Sequence, residues 1–344
     1  MPCPQRRLHR LWSESRAVDG GLMVSRGTRI SWSLLCAFLC LGVACAHNGP
    51  EHQIEALSER LIREGASADV LLERAIEYRV LGKLKEAARD LQRAVRLAPG
   101  DSLVLLELAQ IELQRGRGSE ALLWVRRALQ VPGLATGERA AILMIRSHCR
   151  AAEGSKLEAL EDCSEALRWN PQLISAYLER SAWQQRLQRP RERILGLEEG
   201  IRRTGAGLLV AERIEALLDD AQWQQALEAI EPELTSSRLQ GTWKIRRARA
   251  FKGLSRRTEA DRDLQSALEE IELRMPRVVK DSSLLMDRAL ARELLGQTEA
   301  AIQDYKLAAG CGGGEEAIEA GRRLRRTRSG RPLWPWHPRR ATQH

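Results

Sequence analysis

The chain has 344 residues, 43% hydrophobic and 29% charged, with 12 prolines and a formal charge of +9. That balance suits a folded chain, and a 4% aromatic share leaves the core to leucine, isoleucine and alanine. One globular core would be stretched at this length, which sets a single compact globule aside in favour of an architecture that grows by addition.

From Ile30 to Ala46 no residue is charged, and Arg26 and Arg29 precede the run. A basic segment followed by an apolar one is the pattern of an export signal. The run falls short of the roughly 20 apolar residues that cross a hydrocarbon layer. It closes on Leu41-Gly42-Val43-Ala44-Cys45, which resembles the lipobox of bacterial lipoproteins, although Gly42 stands where that pattern prefers leucine. The resemblance implies a lipid attached at Cys45, and Ala46 in second place is similar to the sorting pattern for the outer membrane. A diacylated and N-acylated cysteine carries more than the two hydrophobic signals that stable anchoring requires. Two other readings stay open: cleavage after Ala46 to release a soluble chain, and an uncleaved anchor. Met23 makes a more ordinary start for such a signal than Met1. Residues 1–45 are therefore read as an extension and signal, and 46–66 as a tether with a first helix beginning near Glu51.

Residues 68–81 place Leu71, Ala75, Tyr78 and Leu81 at steps of four, three and three, one face of a helix. Gly82 suits the left-handed turn that ends it. A second helix follows, with Ala87, Leu91, Ala94 and Leu97 inward and Pro99 behind it. The segment returns as Gly116, Glu120, Ala121, Val125, Ala128, Val131 and Pro132, with 34 residues from Gly82 to Gly116. One such pair cannot bury its apolar stripe alone, so a fixed period means a stack. Gly154, Glu158, Ala159, Ala166 and Pro171 mark a third unit. Its glycine comes 38 residues after Gly116, which predicts a four-residue insertion near Gly133–Thr136. Over 174–240 the pattern loosens: Gln188 replaces the turn glycine, and Pro232 is expected to cut or kink a second helix. Units 241–274 and 282–315 recover it through Ala248, Ala260 and Ala267, then Ala289, Gly296, Ala301 and Ala308. A last helix, Glu315 to Arg326, is expected to cap the stack, and 327–344 to form a disordered basic tail.

The small-residue turn, the Glu-Ala pair and the closing proline resemble the tetratricopeptide repeat family. The resemblance implies an all-α fold, a right-handed superhelical α-solenoid of helix-turn-helix repeats. It covers 67–173 as three well-formed repeats, 174–240 as degenerate ones, and 241–326 as two more with the capping helix. It also implies that the first helix of each unit lines a concave groove. The matched positions there are Leu72, Ile76, Leu106, Gln110, Met144, His148 and Leu178, an apolar or neutral stripe suited to a peptide or helical segment. Further along, Glu215 and Arg249 add charge to the same rows. Adaptors of the family that clamp a terminal carboxylate carry Lys, Asn and Arg in this groove. Those residues are missing at 72, 76, 106 and 110, so that ligand is not expected.

No catalytic residue and no cofactor is indicated, and no metal-ligand spacing occurs. His148 is the one histidine inside the array, and no Ser or Cys has a context that pairs with it. Gly310 and Gly312 to Gly314 lack the strand and Lys-Ser/Thr of a phosphate loop. Cys149 and Cys163 fall on neighbouring antiparallel helices, either bridged or as two buried thiols. Glu198-Glu199 and Asp219-Asp220 read as solvated helix charges. The sequence thus points to a non-enzymatic interaction scaffold of the bacterial cell envelope, an outer-membrane lipoprotein facing the periplasm with a protein or peptide partner. A self-associating structural component is the first alternative. The second is contact of the Arg-rich tail, where Trp334 and Trp336 interleave, with anionic lipid or nucleic acid.

Overall fold

The computed structural model describes residues 49–275, 281–312 and 314–328. The signal region with Cys45 and the basic tail from 329 onward lie outside the described residues. The chain divides into two compact units, Met1–His52 and Gln53–His344, and every helix after α1 belongs to the second. α1 is Pro50–Glu64, and seven helical pairs follow. They are α2 (Ala68–Val80) with α3 (Leu84–Leu97), α4 (Ser102–Gln114) with α5 (Gly118–Leu129), and α6 (Thr136–Ala152) with α7 (Lys156–Trp169). Next come α8 (Ile174–Arg186) with α9 (Pro190–Thr204) and α10 (Gly207–Asp219) with α11 (Trp223–Ser236). α12 (Gly241–Gly253) with α13 (Arg257–Arg274) and α14 (Ser282–Leu294) with α15 (Thr298–Gly310) complete the pairs, and α16 (Gly314–Arg328) closes the stack. The fold is all-α, a solenoid of hairpins.

The turn within each pair is chemically uniform even where its sequence is not. Gly82, Gly116, Gly154 and Gly296 adopt positive φ, and Gln188, Ala221 and Ser255 do the same at φ 57, 58 and 62 in the other three pairs. The left-handed residue lets the next amide reach back five residues and satisfy a helix-end carbonyl. That bond runs from Lys83 to Tyr78 in the first pair, and from Arg189 to Gln184 and Arg256 to Phe251 where glycine is missing, at 2.8 Å each.

Small side chains set the helix spacing. Ala87, Ala121, Ala159, Ala226, Ala260 and Ala301, one in each of six pairs, are fully buried. The apolar interior around them continues from Ala140 to Ala291 through the whole of 174–240, so the degenerate repeats interrupt the pattern without interrupting the packing. At Gly200 an added methyl would stand 2.8 Å from Leu209 and 2.9 Å from the Tyr177 ring, which is why this position of α9 carries no side chain.

Three expectations are refined. The four-residue insertion is an added helical turn: α6 has 17 residues where α4 has 13, and four residues nearly match one turn, so the buried face keeps its register. Pro232 does not cut its helix, because α11 runs through it to Ser236. Pro232 is exposed, which leaves water to satisfy the carbonyl that its missing amide abandons. The expected tether is helical over most of its length, and Ser58 of α1 accepts a hydrogen bond from the Arg74 guanidinium at 2.9 Å. α16 packs at the end of the last pair, with Ala317 and Leu324 buried and Arg323 bonded to Glu293 at 2.8 Å.

Candidate partner-binding surface

The seven groove positions divide into two kinds. Leu72 and Met144 are buried, 5% and 6% exposed, and Met144 belongs to the continuous core. Ile76, Leu106, Gln110, His148 and Leu178 keep part of their surface. Leu106 and Leu178 also pack against the core. The first-helix row is thus half-filled by its own neighbours, and its accessible part mixes apolar edges with the Gln110 amide and the His148 ring.

Polar bridges between successive first helices join this row. His148 Nε2 lies 2.7 Å from Glu179 Oε2 on the next first helix. Gln185 donates to Asp219 at 2.9 Å, Arg79 to Glu107 at 3.0 Å, and Arg246 to Glu215 at 2.7 Å, with Arg249 on the other Glu215 oxygen. Hydrogen bonding to Glu179 holds the His148 pKa above its ordinary value, against the opposing effect of burial. Burial pushes the Glu215 carboxyl upward, but Arg249 and Arg246 outweigh it and leave its pKa lowered. Glu215 and Arg249, expected to bring charge to the groove, instead neutralise one another there.

Two ionic features escape a reading by apolar periodicity. The first is a clamp inside the pair, an arginine on the first helix holding an aspartate sixteen residues later. Arg74–Asp90, Arg146–Asp162, Arg247–Asp263 and Arg288–Asp304 stand at 2.6 to 2.7 Å, and each aspartate is nearly buried. In the second pair both members change together, to Leu108 and Trp124, an apolar exchange that leaves no orphaned charge. The second feature is Arg193, which takes the place of the repeat alanine in α9 and is only 4% exposed. Its guanidinium donates to Ser181 Oγ at 2.9 Å, Asp219 at 2.8 Å and Glu212 at 2.7 Å. Burial works to lower its pKa, and the two carboxylates more than restore it. The Glu198-Glu199 and Asp219-Asp220 pairs are therefore not simply solvated: Glu198 meets Arg213, Glu199 meets Arg180 and Arg203, and Asp219 anchors Arg193. An arginine followed sixteen residues later by an aspartate, repeated in four pairs, is the sequence signal that would have found the clamp. A break in the alanine column would have found Arg193.

Cys149 and Cys163 are separate buried thiols, not a bridge. Burial pushes them up to about 11 and about 12, so both stay protonated near neutral pH. Ser147 donates to the Ala159 carbonyl at 2.9 Å, with Cys163 Sγ at 3.3 Å. His148 faces Glu179 and is not bonded to a hydroxyl or thiol. Among the described residues no group of three or more His, Cys, Asp or Glu side chains could hold a metal ion. No described helix is long and apolar enough to cross a membrane.

No family model matches the sequence, and none of the curated proteins matches it. Solved structures do match in shape. A tetratricopeptide repeat protein from Parabacteroides merdae is 18% identical with a TM-score of 0.55, over 75% of this chain and 98% of that one. The C-terminal part of a TPR repeat-containing protein from Cytophaga hutchinsonii is 14% identical with a TM-score of 0.52, over 73% and 97%. Yeast Tom70 is 16% identical with a TM-score of 0.51, over 81% of this chain and 60% of Tom70. At such identities the likeness is one of fold, and it shows this chain to be an α-solenoid of tetratricopeptide-like hairpins.

Proposed function

We propose that this chain is a non-enzymatic protein-interaction scaffold of the bacterial cell envelope, held to the outer membrane by a lipid at Cys45. It receives a peptide or helical segment of a partner on its first-helix row. The observation that carries the reading is the row itself. Ile76, Leu106, Gln110, His148 and Leu178 recur on consecutive first helices and keep accessible surface, on a fold that offers repeated helices to an elongated ligand. Anchoring would concentrate bound partners near the lipid surface.

The test compares full-length protein with a Leu106→Gln, Leu178→Gln variant, both recovered from native membranes after cross-linking. Both substitutions keep side-chain volume close to the original, and circular dichroism checks the fold. A discrete partner captured by the first and lost from the folded second supports the reading; identical captures sink it. Palmitate labelling of the full chain, absent after Cys45→Ala, checks the anchor separately.

A further inference from the structure

The fourth pair breaks the arginine–aspartate clamp in an informative way. Arg180 occupies the clamp position on α8, but the residue sixteen places on is Gly196. Beside them lies an open cavity of about 490 Å³ whose lining includes Arg180, Gln184 and Gly196. Arg180 is fixed in place without its carboxylate. Its side chain is 14% exposed, its guanidinium lies 5.1 Å from the Tyr177 ring centroid, and its Nη2 donates to the Gly196 carbonyl at 3.2 Å. The nearest carboxylate, Glu199, stands at 3.5 Å and is shared with Arg203 at 3.4 Å. The other clamps hold their arginines at 2.6 to 2.7 Å.

Gln184 supplies an independent sign of a missing ligand. It is only 6% exposed, it lines the same cavity, and its Oε1 has no hydrogen-bond partner among the described residues. A buried amide oxygen left unpaired is costly, and a rotation of the Gln184 amide toward the cavity would let a donor from outside relieve that cost. Arg202 also lines the cavity and makes no ion pair among the described residues, while Leu195 beside it is 64% exposed. Glu192, the remaining acidic group of the lining, is occupied by Arg189 at 3.5 Å.

We propose that this cavity binds a carboxylate with a neighbouring amide N–H. The carboxylate takes the place on Arg180 that aspartate fills in four of the other pairs, Arg202 adds attraction, and the N–H pairs with Gln184 once its amide turns toward the cavity. An apolar side chain next to the carboxylate covers Leu195. This chemistry belongs to an aspartate or glutamate within a peptide, and also to a chain terminus. The site is separate from the first-helix row and does not depend on it.

The decisive variant is Gly196→Asp, which supplies the carboxylate from within. The added Cβ would stand 3.0 Å from Arg180 Nη2, the far end of a flexible side chain, and Gly196 lies within helix α9 without positive φ. Calorimetric titration of full-length protein would use three peptides. Two are blocked at both ends with Asp-Leu or Asn-Leu at the centre, and the third lacks acidic side chains and ends in a free leucine carboxylate. We expect one or both carboxylate peptides to bind and the Asn-Leu peptide to bind about tenfold more weakly or worse. Which carboxylate peptide binds tells side chain from terminus. Gly196→Asp should abolish binding while melting at the same or a higher temperature, and the exposed Arg202→Gln should weaken it several-fold with the fold unchanged. Should Gly196→Asp lower the melting temperature, Arg202→Gln decides. No binding of either carboxylate peptide at millimolar concentration, or unaltered affinity in Arg202→Gln or in a folded Gly196→Asp, overturns the proposal.

Discussion

Arg193 stands where six other pairs carry a buried alanine, and its environment has been rebuilt to receive it: Ser181, Glu212 and Asp219 converge on one guanidinium. Removing it would take the shared cation from two carboxylates, leaving Glu212 with Ser181 and Asp219 with Gln185, and would open a hole. Because Glu212 and Asp219 are 29% and 27% exposed, water would recover part of the loss. Arg193→Ala should therefore destabilise by about 2 to 3 kcal/mol in denaturant unfolding, below the full cost of breaking a wholly buried pair. A loss under about 0.5 kcal/mol, the range of ordinary surface changes, would show the network to be incidental. His148 makes a prediction of opposite character. Its pKa is raised in the folded chain chiefly by the hydrogen bond to Glu179, so the pair stabilises the charged ring. The stabilisation is complete below the unfolded value of about 6.5 and is lost as pH rises through the higher folded value. Thermal unfolding between about pH 6 and pH 8 should show that decline in the parent chain and a flatter profile in His148→Gln. The same slope in both would remove His148 from the account.

At the scale of the element, the turn inside each pair shows backbone geometry outlasting its preferred residue. Ser255 adopts φ 62 and still permits the Arg256-to-Phe251 bond at 2.8 Å. An L-residue in that region costs about 1 to 2 kcal/mol, and glycine avoids it while giving back about 0.5 to 1 through its freer unfolded chain. Ser255→Gly should thus stabilise by about 0.5 to 1 kcal/mol, measured by denaturant midpoint, and a destabilising result would mean that the serine holds the turn by other contacts. The helices themselves were legible because alanine, leucine and glycine recur at fixed offsets, and those residues act locally. The clamps were not, since an arginine on a helix reads as solvated until its aspartate, sixteen residues away, is brought beside it by the fold. Pro232 misled for a related reason: its exposure, which makes the lost hydrogen bond tolerable, is a tertiary fact.

For the molecule as a whole, the apolar interior passes through the degenerate repeats without a break, while identity of residue is replaced there by ion pairs. The candidate surface was legible only in outline. Equivalent helix positions were placed by period, but burial depends on how each hairpin sits on the next, and so Leu72 and Met144 turned inward while Gln110 and His148 kept partial exposure. The proposed function places a partner on the first-helix row. A photo-activated cross-linking residue introduced at Gln110 on α4, or at the exposed Gln92 on α3 as a control, tests it most directly. Illumination in native membranes should give a discrete adduct from position 110 and none from position 92. Adducts from position 92 alone, the same adducts from both, or none from position 110 would contradict the claim.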